Sequence, residues 1–226
     1  MIRSIFRAVW NGEGSPRSFF RARERELSLA EAMNRLQVDN LSLFADREQL
    51  FLYYECLSEP VPPECLLIET GQRLAEWPGG APGRRWVPMT DIFHYQRPVS
   101  NPQWARAHHD RTPYGRMALL RPEQMARYVY YHYQYQEEKP GDGDKYGIIG
   151  MHENLLFFYS ELPETLTPPP YEGRLKTMLK PENWAEVMEP HFIKWEAAPE
   201  GQDIWRKLML VLELRSPSER RGAQHA

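Results

Sequence analysis

The stretch Tyr128–Gln136 reads YVYYHYQYQ, five tyrosines around one histidine. Two secondary structures compete for it. As a strand, Val129, Tyr131, Tyr133 and Tyr135 share one face, and tyrosine and valine favour sheets. As a helix, Met125, Tyr128 (or Val129), His132 and Gln136 form one stripe, with Tyr128 and His132 neighbours one turn apart. Composition alone does not choose between them, so the choice passes to the rest of the chain.

An internal repeat supplies the context. Residues 39–57, DNLSLFADREQLFLYYECL, align without a gap with residues 144–162, DKYGIIGMHENLLFFYSEL. Asp39 meets Asp144, Glu48 meets Glu153, Leu50 meets Leu155, Tyr54 meets Tyr159 and Leu57 meets Leu162. In each copy two β-rich runs flank a polar centre, a hairpin signal. Upstream of the first hairpin lie IRSIFRAV and a segment opening at Ser15-Pro16. Upstream of the second lie GRMALLR and a segment opening at Arg121-Pro122. Proline in the first turn suits a helix start. Phe19, Phe20, Leu27, Leu29, Ala30, Met33 and Leu36 fit a helical stripe. By its place in the repeat, YVYYHYQYQ is then the matching helix.

Each copy continues through a proline-rich link into a second predicted helix, near Cys65–Trp77 with Gly79-Gly80 as its stop, and near Pro181–Phe192. Each closes on a strand opened by tryptophan, WVPMTDIFHY from Trp86 and WRKLMLVLEL from Trp205. The order β-α-β-β-α-β is the ferredoxin-like arrangement. The predicted fold class is therefore α+β: two ferredoxin-like βαββαβ units packed as a pseudo-dimeric α/β barrel. The predicted domains are a first unit over 1–98, a linker over 99–114, a second unit over 115–215 and a disordered tail over 216–226.

Composition narrows the function classes. The chain has 226 residues, 42% hydrophobic, with a formal charge of −3. That argues for a globular fold and against a nucleic-acid binder. No apolar run is long enough to span a membrane, and MIRSIFRAVW lacks the continuous apolar core of a signal peptide. Cys56 and Cys65 are too few for a disulfide framework or a zinc site. These features predict a cytoplasmic protein without nucleic-acid or membrane partners.

Several residues carry a family resemblance. MIRSIFRAV resembles the opening strand of the L-rhamnose mutarotase family, DNLSLFADREQLFLYYE is similar to its hairpin, and MTDIFHY resembles its closing strand. Tyr128 and His132 match the family's Tyr-x-x-x-His on helix 1. The Trp-Pro-Glu that follows in the family is absent, and the first half has no matching histidine. Counting from proline puts Glu26 at its place. The resemblance implies a metal-free, cofactor-free sugar mutarotase, an isomerase acting on a monosaccharide ligand. Members pair as dimers, so this chain would be its own pair, a monomeric pseudo-dimer.

Mutarotation needs one proton taken from the anomeric hydroxyl and one delivered to the ring oxygen, and histidine titrates in the right range. His132 and Tyr128 are thus the candidate catalytic residues. Tyr146, Trp184, Arg7, Glu26 and His94 are the candidate substrate-binding residues, the aromatic ones by stacking. Trp86 and Trp205 are expected as core anchors. RAHHD at Arg106–Asp110 reads as a connector, or as a lid within the long link over 96–115. GDGDK at Gly141 reads as a turn. Two other functions fit the same pattern: a non-catalytic carbohydrate or small-metabolite binding protein, and a monooxygenase-like or haem-linked member of the dimeric α/β-barrel class.

Overall fold

The structure is a computed structural model; it describes residues 1–79, 83–106 and 110–216. Gly80 of the proposed helix stop, His108 and His109 of the connector, and the tail from residue 217 lie outside the described residues.

In chain order the elements are β1 (Ile2–Val9), α1 (Pro16–Phe20), α2 (Arg23–Arg35), β2 (Val38–Asp46), β3 (Gln49–Cys56), α3 (Pro63–Leu66), β4 (Val87–Pro88), β5 (Thr90–His94) and α4 (Asn101–Trp104). They continue as β6 (Thr112–Leu120), α5 (Met125–Glu138), β7 (Ile148–His152), β8 (Leu155–Leu162), α6 (Trp184–Met188), β9 (Phe192–Ile193), β10 (Arg206–Lys207) and β11 (Met209–Arg215). The fold is mixed α+β, with antiparallel sheets and few helices. No described helix is long and apolar enough to cross a membrane.

Tertiary packing settles the opening ambiguity in favour of helix. Tyr128, His132 and Tyr135 recur at i, i+4 and i+7 on the buried face of α5. Tyr130 and Tyr133 stay exposed, so the side-chain directions follow a helical period. The predicted helix from Pro16 also forms, but in two pieces. Ser15 caps α1 by accepting from the Ser18 amide at 3.2 Å, and the chain breaks at Arg21-Ala22 before α2 resumes. The second predicted helices shrink to α3 plus a 3₁₀ turn over Ile68–Arg73, and to α6 plus a 3₁₀ turn over Glu189–His191.

The chain divides into two compact units that do not coincide with the halves of the sequence. One comprises Met1–Met89, Pro98–His109 and Met209–Ala226; the other comprises Thr90–Arg97 and Asp110–Leu208. In unit 1 the strand order is β11-β2-β3-β1-β4. In unit 2 it is β10-β6-β8-β7-β5, with β9 also paired to β6. Each tryptophan-led closing strand is therefore split. After Trp86, Val87 pairs with Arg7 of β1, whereas Phe93 pairs with Ile149 of β7. After Trp205, Lys207 pairs with Arg116 of β6, whereas Leu212 pairs with Leu43 of β2.

The registers of the two sheets match position by position. Leu212, Leu43, Leu52, Phe6 and Pro88 form one cross-strand row in unit 1. Phe93, Ile149, Phe158, Arg116 and Lys207 form its counterpart in unit 2. Both outer strands carry their irregularity at the same place, between Leu210 and Leu212 and between Asp91 and Phe93.

These registers shift the repeat by one residue. Tyr53, not Tyr54, matches Tyr159: the Tyr53 hydroxyl donates to Glu55 at 2.6 Å, and the Tyr159 hydroxyl donates to Glu161 at 2.8 Å. The turn residues with positive φ, Arg47 at 53° and Glu153 at 54°, keep the same spacing. A sequence alignment slips here because β2 and β3 are buried at nearly every position. No inside–outside alternation marks their register.

Unit 1 also holds a buried ion pair. Glu55 receives both guanidinium nitrogens of Arg106, at 2.7 and 2.9 Å, and the Trp104 indole N–H at 3.0 Å. Burial opposes ionisation of Glu55. The Arg106 charge and the hydrogen bonds outweigh it and hold the carboxyl below its ordinary range.

Candidate functional site

In unit 2 the row Phe93, Ile149, Phe158 and Arg116 forms one wall of a cavity of about 300 Å³. The buried stripe of α5, Tyr128, His132 and Tyr135, forms a second wall. Trp184, Met188 and Phe192 close a third side, with Trp205 beside them. The rings meet mainly edge to face. His132 lies 5.2 Å from Phe93 and 5.0 Å from Trp184, and Tyr135 lies 5.0 Å from Trp184. Tyr95 reaches the cavity past Gly143, where an added Cβ would sit 2.5 Å from its ring. Within GDGDK, glycine is therefore the residue that leaves room for Tyr95.

The polar groups in this apolar shell are few. His132 Nδ1 lies 2.9 Å from the Tyr128 carbonyl, which only accepts. Nδ1 therefore carries the proton, and Nε2 keeps its lone pair. Burial pushes the imidazole pKa down to about 4, so His132 is neutral at physiological pH. Burial likewise raises the phenols of Tyr95 and Tyr128, opposed by the charge of Arg116. Burial raises Tyr135 too, reinforced by Tyr95 and Asp142, and its hydroxyl donates to Asp142 Oδ2 at 3.0 Å.

Arg116 is the cation of the cavity wall. Its guanidinium stands 4.8 Å from the Phe158 ring centroid and 5.4 Å from that of Trp205. Its Nε is buried and has no hydrogen-bond partner among the described residues. Buried donors are nearly always satisfied, so this one marks Arg116 as a side chain whose donors the fold does not all pair.

Of the sequence-predicted residues, His132, Tyr128 and Trp184 come together around this cavity. Tyr146 is buried away from it, with the Lys145 ammonium 5.4 Å from its ring. His94 pairs with Asp91 at 2.9 Å and lines a separate, more polar recess with Arg97 and Arg174. Arg7 belongs to unit 1, where it donates to Gln49 at 3.1 Å and covers the Trp77 ring at 4.7 Å. Glu26 lies in the first turn of α2 and is not among the residues lining the unit 1 cavity; Leu29 takes the place equivalent to His132. The break at Arg21-Ala22 resets the helical phase, which defeats a count from Pro16.

Sequence reasoning missed Arg116, Phe93 and Tyr95. The available signal was the charge of Arg116 among the apolar residues of GRMALLR, a pattern that Arg7 in IRSIFRAV shares. Trp205, expected as a core anchor, stands in the cavity wall. Among the described residues no group of three or more His, Cys, Asp or Glu could hold a metal ion.

No family model and no curated protein matches the chain. Two crystal structures that resemble it in fold are each described as a "putative monooxygenase". One, from Lactobacillus acidophilus NCFM, has a TM-score of 0.46 and 7% identity, over 95% of this chain and 97% of that one. The other, from Fusobacterium nucleatum, has a TM-score of 0.42 and 8% identity, over 94% of this chain and 93% of that one. The expected membership of the L-rhamnose mutarotase family, with its isomerase activity and carbohydrate substrate, is overturned by these comparisons. The cavity gives the physical reason. Its walls are mostly rings and aliphatic groups, His132 Nδ1 and the Tyr135 hydroxyl are already committed, and little remains to satisfy the many hydroxyls of a monosaccharide. The short Tyr-x-x-x-His motif describes a packed helix face as well as a sugar site.

Proposed function

We propose that the unit 2 cavity takes up a planar, largely apolar small molecule whose oxygen substituent is held by Arg116, and that the chain acts in the monooxygenase-like class. The observation that carries this is the buried, unpartnered Nε of Arg116 inside an aromatic shell. Phe93 and Trp184 pack the flat faces of the molecule. Arg116 stabilises a phenolate, enolate or carboxylate oxygen. His132 Nε2 accepts a hydrogen bond from a hydroxyl. With a pKa of about 4 it is a weak base. An ordinary phenol lies about six units higher. The charge of Arg116 therefore does more than His132 to form the anion. Such an anion is electron-rich and reacts with dioxygen. A ring-attached CH₂ becomes a carbonyl, one oxygen atom enters the product, the other leaves as water, and the substrate supplies the electrons.

The test combines tryptophan fluorescence titration with hydroxynaphthoates and dioxygen uptake with anthrone, whose ring CH₂ acidifies to a phenolate-type anion, corrected for autoxidation. Saturable binding and uptake that both fall in Arg116→Met support the reading. Binding without uptake reduces it to a small-metabolite binding protein. No binding of either probe overturns it, and a Soret band on haem titration would move it to haem-linked chemistry.

We propose as well that the chain is a tandem duplication of a ferredoxin-like unit acting as its own pseudo-dimer. The matched registers and the split closing strands support this. Free Cys56 and Cys65 support a cytoplasmic location. Light scattering at the mass of a single chain is the expected result.

A further inference from the structure

Unit 1 repeats the cavity of unit 2 with different chemistry. Its cavity, about 370 Å³, is bounded by Leu212 of β11, the α2 residues Arg25, Leu29 and Ala32, and the segment Leu66–Thr70. Leu212 occupies the register position of Phe93. Arg25, Leu29 and Ala32 keep the i, i+4, i+7 spacing of Tyr128, His132 and Tyr135. Where unit 2 has Arg116 in the sheet, unit 1 has Phe6. The cation has thus moved from the sheet to the helix, and the histidine has become a leucine.

We infer that the unit 1 cavity is a binding site for a linear aliphatic monocarboxylate, its chain among Phe20, Leu29, Ala32, Leu66, Leu67 and Leu212 and its carboxylate on Arg25. Two observations select this class. First, the rings near the cavity are already occupied by the protein. Phe19 carries the Arg25 guanidinium at 3.8 Å and Arg73 at 4.8 Å, and meets Phe20 edge-on at 5.1 Å. The apolar part of the remaining wall is aliphatic, Leu29, Ala32, Leu66, Leu67, Ile68 and Leu212, and suits a flexible chain rather than a flat ring; Ser28 and Thr70 add two small hydroxyls. Second, Arg25 is preset. It donates to the Phe19 carbonyl at 3.1 Å, while its Nε meets Glu69 at 3.2 Å. The Glu69 side chain is 61% exposed. Such an exposed ion pair is weak, so a ligand carboxylate can replace Glu69 and gain chain burial in addition. Glu31 and Arg35 at the rim add one charge of each sign and leave Arg25 to decide the head group.

This inference does not rest on the unit 2 reading. Titration calorimetry of the full chain with decanoate, decanol and 2-naphthoate tests it. Decanoate is expected to saturate. Arg25→Met should weaken decanoate at least tenfold with decanol unchanged, Glu69→Gln should tighten it several-fold, and Arg116→Met should change nothing. Leu29→Trp should abolish binding by filling the cavity; Arg25→Met and Glu69→Gln, both rim changes, keep the test valid where that variant fails to fold. Failure of decanoate to saturate below its solubility limit, equal binding of 2-naphthoate to the Arg116→Met chain, or indifference to Arg25→Met would each overturn the inference.

Discussion

The two cross-strand rows, Leu212–Leu43–Leu52–Phe6–Pro88 and Phe93–Ile149–Phe158–Arg116–Lys207, hold the same positions in two sheets and carry different chemistry. Backbone register depends on hairpin geometry and bulge position, which both units keep. Chemistry depends on a handful of side chains facing the cavity, which they do not share. Leu29, Ala32 and Leu212 at the places of His132, Tyr135 and Phe93 make the unit 1 cavity more aliphatic than that of unit 2. A scaffold recurs far more readily than a site, because many interchangeable apolar contacts hold the scaffold and few specific ones make the site.

The largest expected effect comes from breaking the strand arrangement. A chain ending at Leu208 loses β11 and with it buried Val211 and Leu212. Each fully buried aliphatic side chain contributes about 1.5–3 kcal/mol. Methyl NMR should show unit 1 resonances collapsing while those of Ile149 and Leu156 in unit 2 persist. Simultaneous loss of both units would show that the two are not separable in stability.

Removing Arg106 comes next. Arg106→Met strands the Glu55 carboxylate, and breaking a buried pair costs about 3–5 kcal/mol. In unit 2, Tyr159→Phe deletes the hydrogen bond to Glu161 and should cost about 1.5–3 kcal/mol. Urea unfolding of the two variants checks the contrast, and comparable losses would remove it.

The unit 2 histidine sets a pH dependence of its own. Its folded pKa is about 4 against an ordinary 6.5, so between those values the unfolded chain binds more protons. Stability from a neutral buried His132 is full above pH ~6.5 and falls as pH drops toward ~4, by roughly 3 kcal/mol at most. Asp144, whose pKa burial raises to about 6, contributes the opposite slope over much of that window. The difference between wild type and His132→Gln is therefore the informative quantity. It should shift toward the variant on acidification and level off near pH 4. A pH-independent difference would mean that the imidazole titrates normally.

The smallest effect concerns recognition. Arg116→Met should lower hydroxynaphthoate affinity tenfold or more, about 1.4 kcal/mol, and leave the unfolding midpoint of unit 1 unmoved. Affinity unchanged would mean that apolar packing alone holds the ligand.

Much of the architecture was readable before any coordinates. Proline and serine mark the start of the first helix, and the repeat placed YVYYHYQYQ on a helix against its own β propensity. The pairing of Tyr128 with His132, and Trp184 as an aromatic wall, followed from helix spacing and composition. Arg116 was not legible, because a charge on a strand reads as solvent-facing until its neighbours across the sheet are known. The family resemblance misled because its motifs report helix and hairpin packing that unrelated sites share.

The α+β class, the two hairpins and the helix of five tyrosines are legible in the sequence alone, since each is encoded within a short run of residues or its repeat. Where each closing strand pairs, which residue of the repeat matches which, and which side chains share a cavity are set by long-range packing. Strands buried on both faces carry no alternation to announce their register. A cavity is made by residues distant in sequence, whose meeting depends on that register.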